Sequence, residues 1–200
     1  MNAQRDSVSV PVSSWRSARL FVTDEFLAPP VILRVDDSVI GTLGNFSAST
    51  GKAKSKKTFN VCAIVAAAMT GGTVLNYSAS LPPERRRILY VDTEQSRFHC
   101  KRVLCRILRL AGLPADAHPP LLEFLCLRGY ATKERLRKIE EAIYDLDDLG
   151  LVVIDGIRDL AHDINSPGEA TDLITKLMQW TDERRIHIHT VLHLNKGDDN

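Results

Sequence analysis

The segment Gly44-Asn45-Phe46-Ser47-Ala48-Ser49-Thr50-Gly51-Lys52-Ala53-Lys54-Ser55-Lys56-Lys57-Thr58 decides the reading of this 200-residue chain. Started at Gly51, the pattern G-x-x-x-x-G-K-[ST] puts Lys57 and Thr58 on its Lys and hydroxyl positions, with Lys56 where the second glycine belongs. The other register, with Gly51-Lys52 as the Gly-Lys pair, puts Ala53 where a metal-binding hydroxyl is needed and fits worse. Such a loop binds phosphate because the chain turns sharply, successive backbone N–H groups surround the oxygens, and the next helix aims its positive end at them. In this register Lys57 bridges the β- and γ-phosphates of ATP and the Thr58 hydroxyl ligates Mg²⁺. Gly51, Lys52, Ala53, Lys54, Ser55, Lys56, Lys57, Thr58 and Phe59 then form the nucleotide-binding set. The bland alternative is a solvated basic loop that binds polyanions without nucleotide specificity.

Outward from that loop, short apolar runs alternate with helical patterns. Strands are expected at Val31-Val35, Ile88-Asp92, Leu121-Cys126, Leu151-Asp155 and His187-His193. Helices are expected at Lys57-Met69, Ser96-Ala111, Thr132-Leu146 and Gly168-Arg184. The first of these is apolar almost all round and should be the most central. The alternation predicts an α/β fold, a doubly wound and mainly parallel sheet with helices on both faces. Residues 1–30, rich in Ser, Val and Pro, read as an N-terminal arm or lid, and 31–200 as the core.

Two further strands end in acids. Leu151-Val152-Val153-Ile154-Asp155 has the Walker B pattern, in which the terminal Asp holds Mg²⁺ through water. Ile88-Leu89-Tyr90-Val91-Asp92-Thr93-Glu94 is a second buried strand ending in carboxylates. Doubly wound sheets bind ligands at the carboxyl ends of their strands, so the loop, Glu94 and Asp155 should converge on one edge.

These residues resemble the RecA-like P-loop ATPases of the AAA family, in particular the hexameric branch that includes DnaB-type and plasmid replicative helicases. The resemblance covers roughly Val31 to Asn200 and rests on Gly51 to Thr58, Tyr90 to Glu94, Leu151 to Asp159 and Thr190-Val191-Leu192-His193. It implies a RecA-like core, ATP and Mg²⁺ as cofactors, Glu94 as general base and His193 as the γ-phosphate sensor, with Asn195 and Lys196 beside it. It also implies DNA, single-stranded, as partner, a homo-oligomeric ring, and a role in replicating plasmid or mobile-element DNA. Family members continue through a DNA-binding loop and strands carrying an arginine finger, so the core is expected to be incomplete after Asn200. Two other readings keep the fold: a non-catalytic nucleotide- or DNA-binding module, and a recombinase-type relative.

The rest of the sequence narrows the alternatives. With 26 basic and 25 acidic residues, the net charge of +1 offers no global attraction to nucleic acid, so any polyanion site is local. No apolar run reaches the ~20 residues that span a bilayer, and no secretory leader is visible, so the expectation is a cytoplasmic protein without membrane contact. Cys62, Cys100, Cys105 and Cys126 form no C-x-x-C pair and read as small buried hydrophobes. His187, His189 and His193 share a strand face, but hydrogen-bonded strand histidines are favoured over a metal site, which would want a fourth ligand. His99 with Cys100 reads as a helix-surface pair, Arg85-Arg86-Arg87 and Asp147-Asp148 as solvated surface, and Trp15 and Trp180 as packing residues. Neither G-x-S-x-G nor H-E-x-x-H occurs.

Overall fold

The computed structural model of the protein describes residues 15–52, 55–161 and 166–193, with His193 described by its backbone. In chain order the elements are β1 (Val31–Val35), β2 (Ser38–Thr42), β3 (Phe46–Gly51), α1 (Lys57–Thr70), β4 (Thr73–Val74), β5 (Tyr77–Ala79), β6 (Arg87–Asp92), α2 (Arg97–Leu110), β7 (Leu122–Cys126), α3 (Thr132–Asp145), β8 (Leu149–Asp155), α4 (Pro167–Arg184) and β9 (His187–His193). Five strands pair in parallel in the order β3-β9-β8-β6-β7. The expected doubly wound α/β architecture, with helices on both faces, is what forms.

The period-two alternation of strands sorts side chains between two cores. Ile88 and Tyr90 of β6 and Leu151 and Val153 of β8 pack with α1 and α2, through Val61, Ile64, Val65, Val103 and Ile107. Their neighbours Leu89, Val91, Val152 and Ile154 pack with α3 and α4, through Ile139, Ile143, Leu173, Leu177 and Trp180. A strand covered on both faces must be apolar at every position, and all seven residues of β8 are buried. The helix α1 is buried from Val61 to Met69 for a related reason. Besides the parallel sheet and α2, it meets a second sheet, antiparallel, in the order β2-β1-β5-β4, which contributes Ile32, Leu33 and Ala79 to the same core.

That second sheet corrects the sequence reading. Val31–Val35 does not belong to the parallel sheet; it pairs antiparallel with β2 and β5. The strand that feeds the phosphate loop is Phe46–Gly51, which the sequence reading assigns to the loop itself. Phe46-Ser47-Ala48-Ser49-Thr50-Gly51 lacks an apolar run because β3 is an edge strand whose residues alternate between exposed and half-buried.

Several smaller expectations also change. Trp15 is 66% exposed, with the Arg16 and Arg19 guanidiniums 5.1 and 5.6 Å from its ring, whereas Trp180 is buried as expected. Two of the three consecutive arginines are tied down. Arg85 donates to the carbonyls of Leu149 and Arg184, and Arg87 pairs with Asp148 at 2.6 Å and Glu123 at 3.3 Å. Asp148 is thus an ion-pair partner rather than a solvated turn residue, and the Arg87 guanidinium holds its carboxyl below the usual range. Among the cysteines, only Cys62 and Cys100 are buried, and all four are free thiols. Cys100 faces inward while its neighbour His99 is exposed. No helix among the described residues is long and apolar enough to cross a membrane.

Candidate nucleotide site

Strand register brings the sequence-predicted residues to one edge. Asp92 aligns with Asp155 across β6 and β8, Asp155 with Val191 across β8 and β9, and Gly51 with His193 across β3 and β9. The N-terminus of α1 follows the loop, with no acidic residue in its first turn to oppose an anion. The backbone of His193 therefore lies beside the start of the phosphate loop. Ala53, Lys54, Asn195 and Lys196 lie outside the described residues.

The turn into α1 is made by Lys56, at φ 61° and ψ 20°. This left-handed conformation is one that glycine adopts freely and that costs an L-residue about 1–2 kcal/mol. The sequence replaces the motif glycine, but the backbone keeps the glycine conformation. Lys57, only 7% exposed, turns its ammonium back over the loop and donates to the carbonyls of Gly51 at 2.6 Å and Lys52 at 2.7 Å and to Ser55 Oγ at 3.3 Å. A buried ammonium needs such acceptors, and phosphate oxygens are the natural alternative to them. Phe59, one residue past Thr58, is 38% exposed.

Thr58 Oγ1 donates to Asp155 Oδ2 at 3.2 Å, and the buried Tyr90 hydroxyl donates to the same oxygen at 3.0 Å. Burial pushes the Tyr90 phenol well above its ordinary range, and the neighbouring Asp155 carboxylate adds to this, so Tyr90 acts as a neutral donor. A hydroxyl and a carboxylate, both hard oxygen ligands, suit Mg²⁺ bound together with phosphate and water. Among the described residues, no cluster of three His, Cys, Asp or Glu could hold a metal by itself.

Glu94 is set by the residues on either side of it. Asp92 Oδ1 accepts from the backbone N–H groups of Glu94 at 3.1 Å and Gln95 at 2.7 Å, and its Oδ2 accepts from Gln95 Nε2 at 2.8 Å. Burial raises the Asp92 carboxyl, and the two backbone N–H groups oppose that rise. Thr93 Oγ1 donates to the carbonyls of Asp155 at 3.2 Å and Gly156 at 2.8 Å. Gly156 has φ 101°, and a Cβ there would stand 2.2 Å from Thr93 Oγ1 and 2.9 Å from Glu94 Cγ. Glycine at 156 thus lets the ends of β6 and β8 approach.

Thr58, Glu94 and Asp155 line one cleft of about 320 Å³ together with Gln95, Arg102 and Arg106. Sequence reasoning missed the two arginines. Their spacing of four residues on α2 was the available signal, because it stacks them on one helix face. They bring positive charge to the wall that carries Glu94. Burial pushes the Cys62 thiol up to about 11, and the Arg106 guanidinium opposes that rise.

His187 and His189 lie away from this cleft and are hydrogen-bonded side chains. A carbonyl only accepts, so the 2.9 Å contact from His187 Nδ1 to the Thr42 carbonyl places the proton on Nδ1. Neutral His187 then accepts at Nε2 from Ser47 Oγ, 2.8 Å away. Ser47 Oγ in turn accepts from His189 Nδ1 at 2.8 Å, and His189 Nε2 accepts from Ser49 Oγ at 2.9 Å. Every donor has one acceptor only while both rings are neutral. Burial holds both below the ordinary histidine range, His189 at about 4.

A family model described as an AAA domain matches residues 16–199 of the chain. No curated protein matches it.

Proposed function

Because the chain belongs to the AAA domain family, an ATPase-type nucleotide-binding family, we propose that it binds ATP with Mg²⁺ and hydrolyses the γ-phosphate. The observation that carries this reading is the convergence of Lys57, Thr58, Asp155 and Glu94 at one sheet edge, three of them in a single cleft. Lys57, already directed at the loop by three oxygen acceptors, exchanges them for phosphate oxygens. Thr58 and Asp155 hold Mg²⁺, which when bound supplies charge neutralisation on the phosphates. Glu94 orients a water molecule and takes its proton as the water oxygen attacks phosphorus and the bond to the bridging oxygen breaks, releasing ADP and phosphate. Catalysis of this kind is mostly positioning and charge compensation. His193, beside Gly51 in the sheet, is assigned as the reporter of the γ-phosphate.

Within this reading the chain is a RecA-like motor module of the DnaB-type or plasmid-helicase kind, acting on DNA as a ring. The order of phosphate loop, Glu94 just past β6, Asp155 ending β8 and His193 ending β9 supports it. Residues 31–200 form the ATPase core and 1–30 an arm or lid. Lys56 in the glycine position favours a second reading, a module that binds ATP without turnover.

Calorimetry and steady-state hydrolysis, with and without single-stranded DNA, test the proposal. Lys57→Ala should weaken ATP binding greatly; unchanged affinity overturns the register. Glu94→Gln should keep ATP affinity and lose about 10²–10⁴ in turnover. Full turnover in that variant removes Glu94 from its role, and no turnover in the wild type selects the second reading.

A further inference from the structure

A second cavity, of about 570 Å³, opens beyond the carboxyl ends of β6 and β7 and is lined by Gln95, Arg97, Cys126, Arg128 and Tyr130 among others. It lies next to the catalytic cleft, and Gln95 belongs to both. Its lining holds two guanidiniums, one phenol ring and no carboxylate. Arg97 and Arg128 are exposed, and among the described residues no side-chain hydrogen bond or ion pair engages either of them. Such a pair is positioned for an anion from solution.

The loop that presents Arg128 and Tyr130 is held in place. Arg135 Nε donates to the carbonyls of Leu127 at 3.1 Å and Tyr130 at 2.8 Å, its Nη2 to Arg128 at 2.9 Å, and its Nη1 to Asp159 at 3.1 Å. One guanidinium thus ties the turn after β7 to the turn after β8. Preorganisation of this kind lowers the ordering cost of binding. Tyr130 is 39% exposed, and the Lys138 ammonium sits 4.6 Å from its ring centroid. A third cation therefore borders the same ring.

Arginine pairs without an acidic partner take phosphate, and an exposed ring among cations takes a nucleobase by stacking. A cavity of this size admits a nucleotide. We infer that this cavity binds a nucleotide unit, its phosphate on Arg97 and Arg128 and its base on Tyr130, separately from the ATP site. The unit comes either from a single-stranded nucleic acid or from a free mononucleotide. The single-strand case deepens the DNA-directed reading above and rests on it.

The test is fluorescence anisotropy of labelled oligothymidylate, without ATP, on the full chain across a salt series. Because no ATP is present, the measurement reads this cavity whether or not the ATPase proposal holds. The combined Arg97→Gln and Arg128→Gln variant should weaken binding at least tenfold and reduce the slope of log affinity against log salt by about 0.7, the value for one phosphate neutralised on a single strand. Tyr130→Ala should weaken it about fivefold or more, and circular dichroism should show all variants folded. Thymidine monophosphate as competitor separates the sources: poor competition identifies the single strand, and competition at equal nucleotide concentration identifies the free nucleotide. Unchanged affinity and slope in the double variant overturns the inference. So does a plain anion site, in which pyrophosphate binding falls as much as oligonucleotide binding while Tyr130→Ala changes neither.

Discussion

The strands β8 and β3 both deliver site residues to the same sheet edge, yet they are attached to the molecule by different forces. All seven residues of β8 are buried, between strands on both sides and helices on both faces. Its hold is apolar: a fully buried Ile, Leu or Val contributes about 1.5–3 kcal/mol. The edge strand β3 has one neighbour in the sheet and no fully buried residue. It is joined to β9 by backbone pairing and by the directed hydrogen bonds of Ser47 and Ser49 to His187 and His189. The Asp155 carboxylate thus stands on a strand fixed by burial, and the candidate phosphate loop on one fixed by polar groups.

The largest expected effect tests the buried strand. Ile154→Ala removes a side chain with no exposed surface and should cost about 2–5 kcal/mol in urea unfolding, without dependence on pH. A cost below 1 kcal/mol would contradict the assignment of this strand to the core. Next comes acid sensitivity of the polar attachment. His189 titrates near 4 in the fold against an ordinary 6.5, so between those values the unfolded chain binds more protons than the folded one. Stability is then full above pH 6.5 and lost as the pH falls toward 4, by about 3 kcal/mol, at about 1.4 kcal/mol for each pH unit between the two values. His189→Gln should flatten that slope relative to wild type, and amide exchange should rise in β3 before β8. A parallel loss in both strands would break the comparison.

A smaller effect is expected at Lys56. Lys56→Gly relieves the left-handed strain but adds freedom to the unfolded chain, so the net gain should be about 0.5–1 kcal/mol in thermal unfolding. Lower stability in that variant would show that the lysine side chain stabilises the loop. Smallest is Thr50→Ala on the exposed side of β3, expected within about 0.5 kcal/mol of wild type.

The site was more legible in the sequence than the strand that carries it. Lys57, Thr58, Glu94 and Asp155 stand at motif spacings or at the ends of apolar runs, because phosphate and metal chemistry restricts residue types. Phe46–Gly51 escaped because an edge strand needs no continuous apolar run, and Val31–Val35 misled because a short β-rich run looks the same in a parallel sheet and in an antiparallel one. Arg85 and Arg87 could be read as solvated only while the carbonyls of Leu149 and Arg184 and the carboxylate of Asp148 were out of view.

The sequence by itself determined the α/β class and the central apolar helix and named the candidate phosphate and metal ligands, because periodicity and motif spacing are local properties of a chain. Only the tertiary structure decided which strand enters the loop, that Lys56 takes the turn of a glycine, and that Arg97, Arg128 and Tyr130 meet in one cavity. Those depend on strand order and on contacts between residues distant in sequence, where the chain's own spacing carries no information.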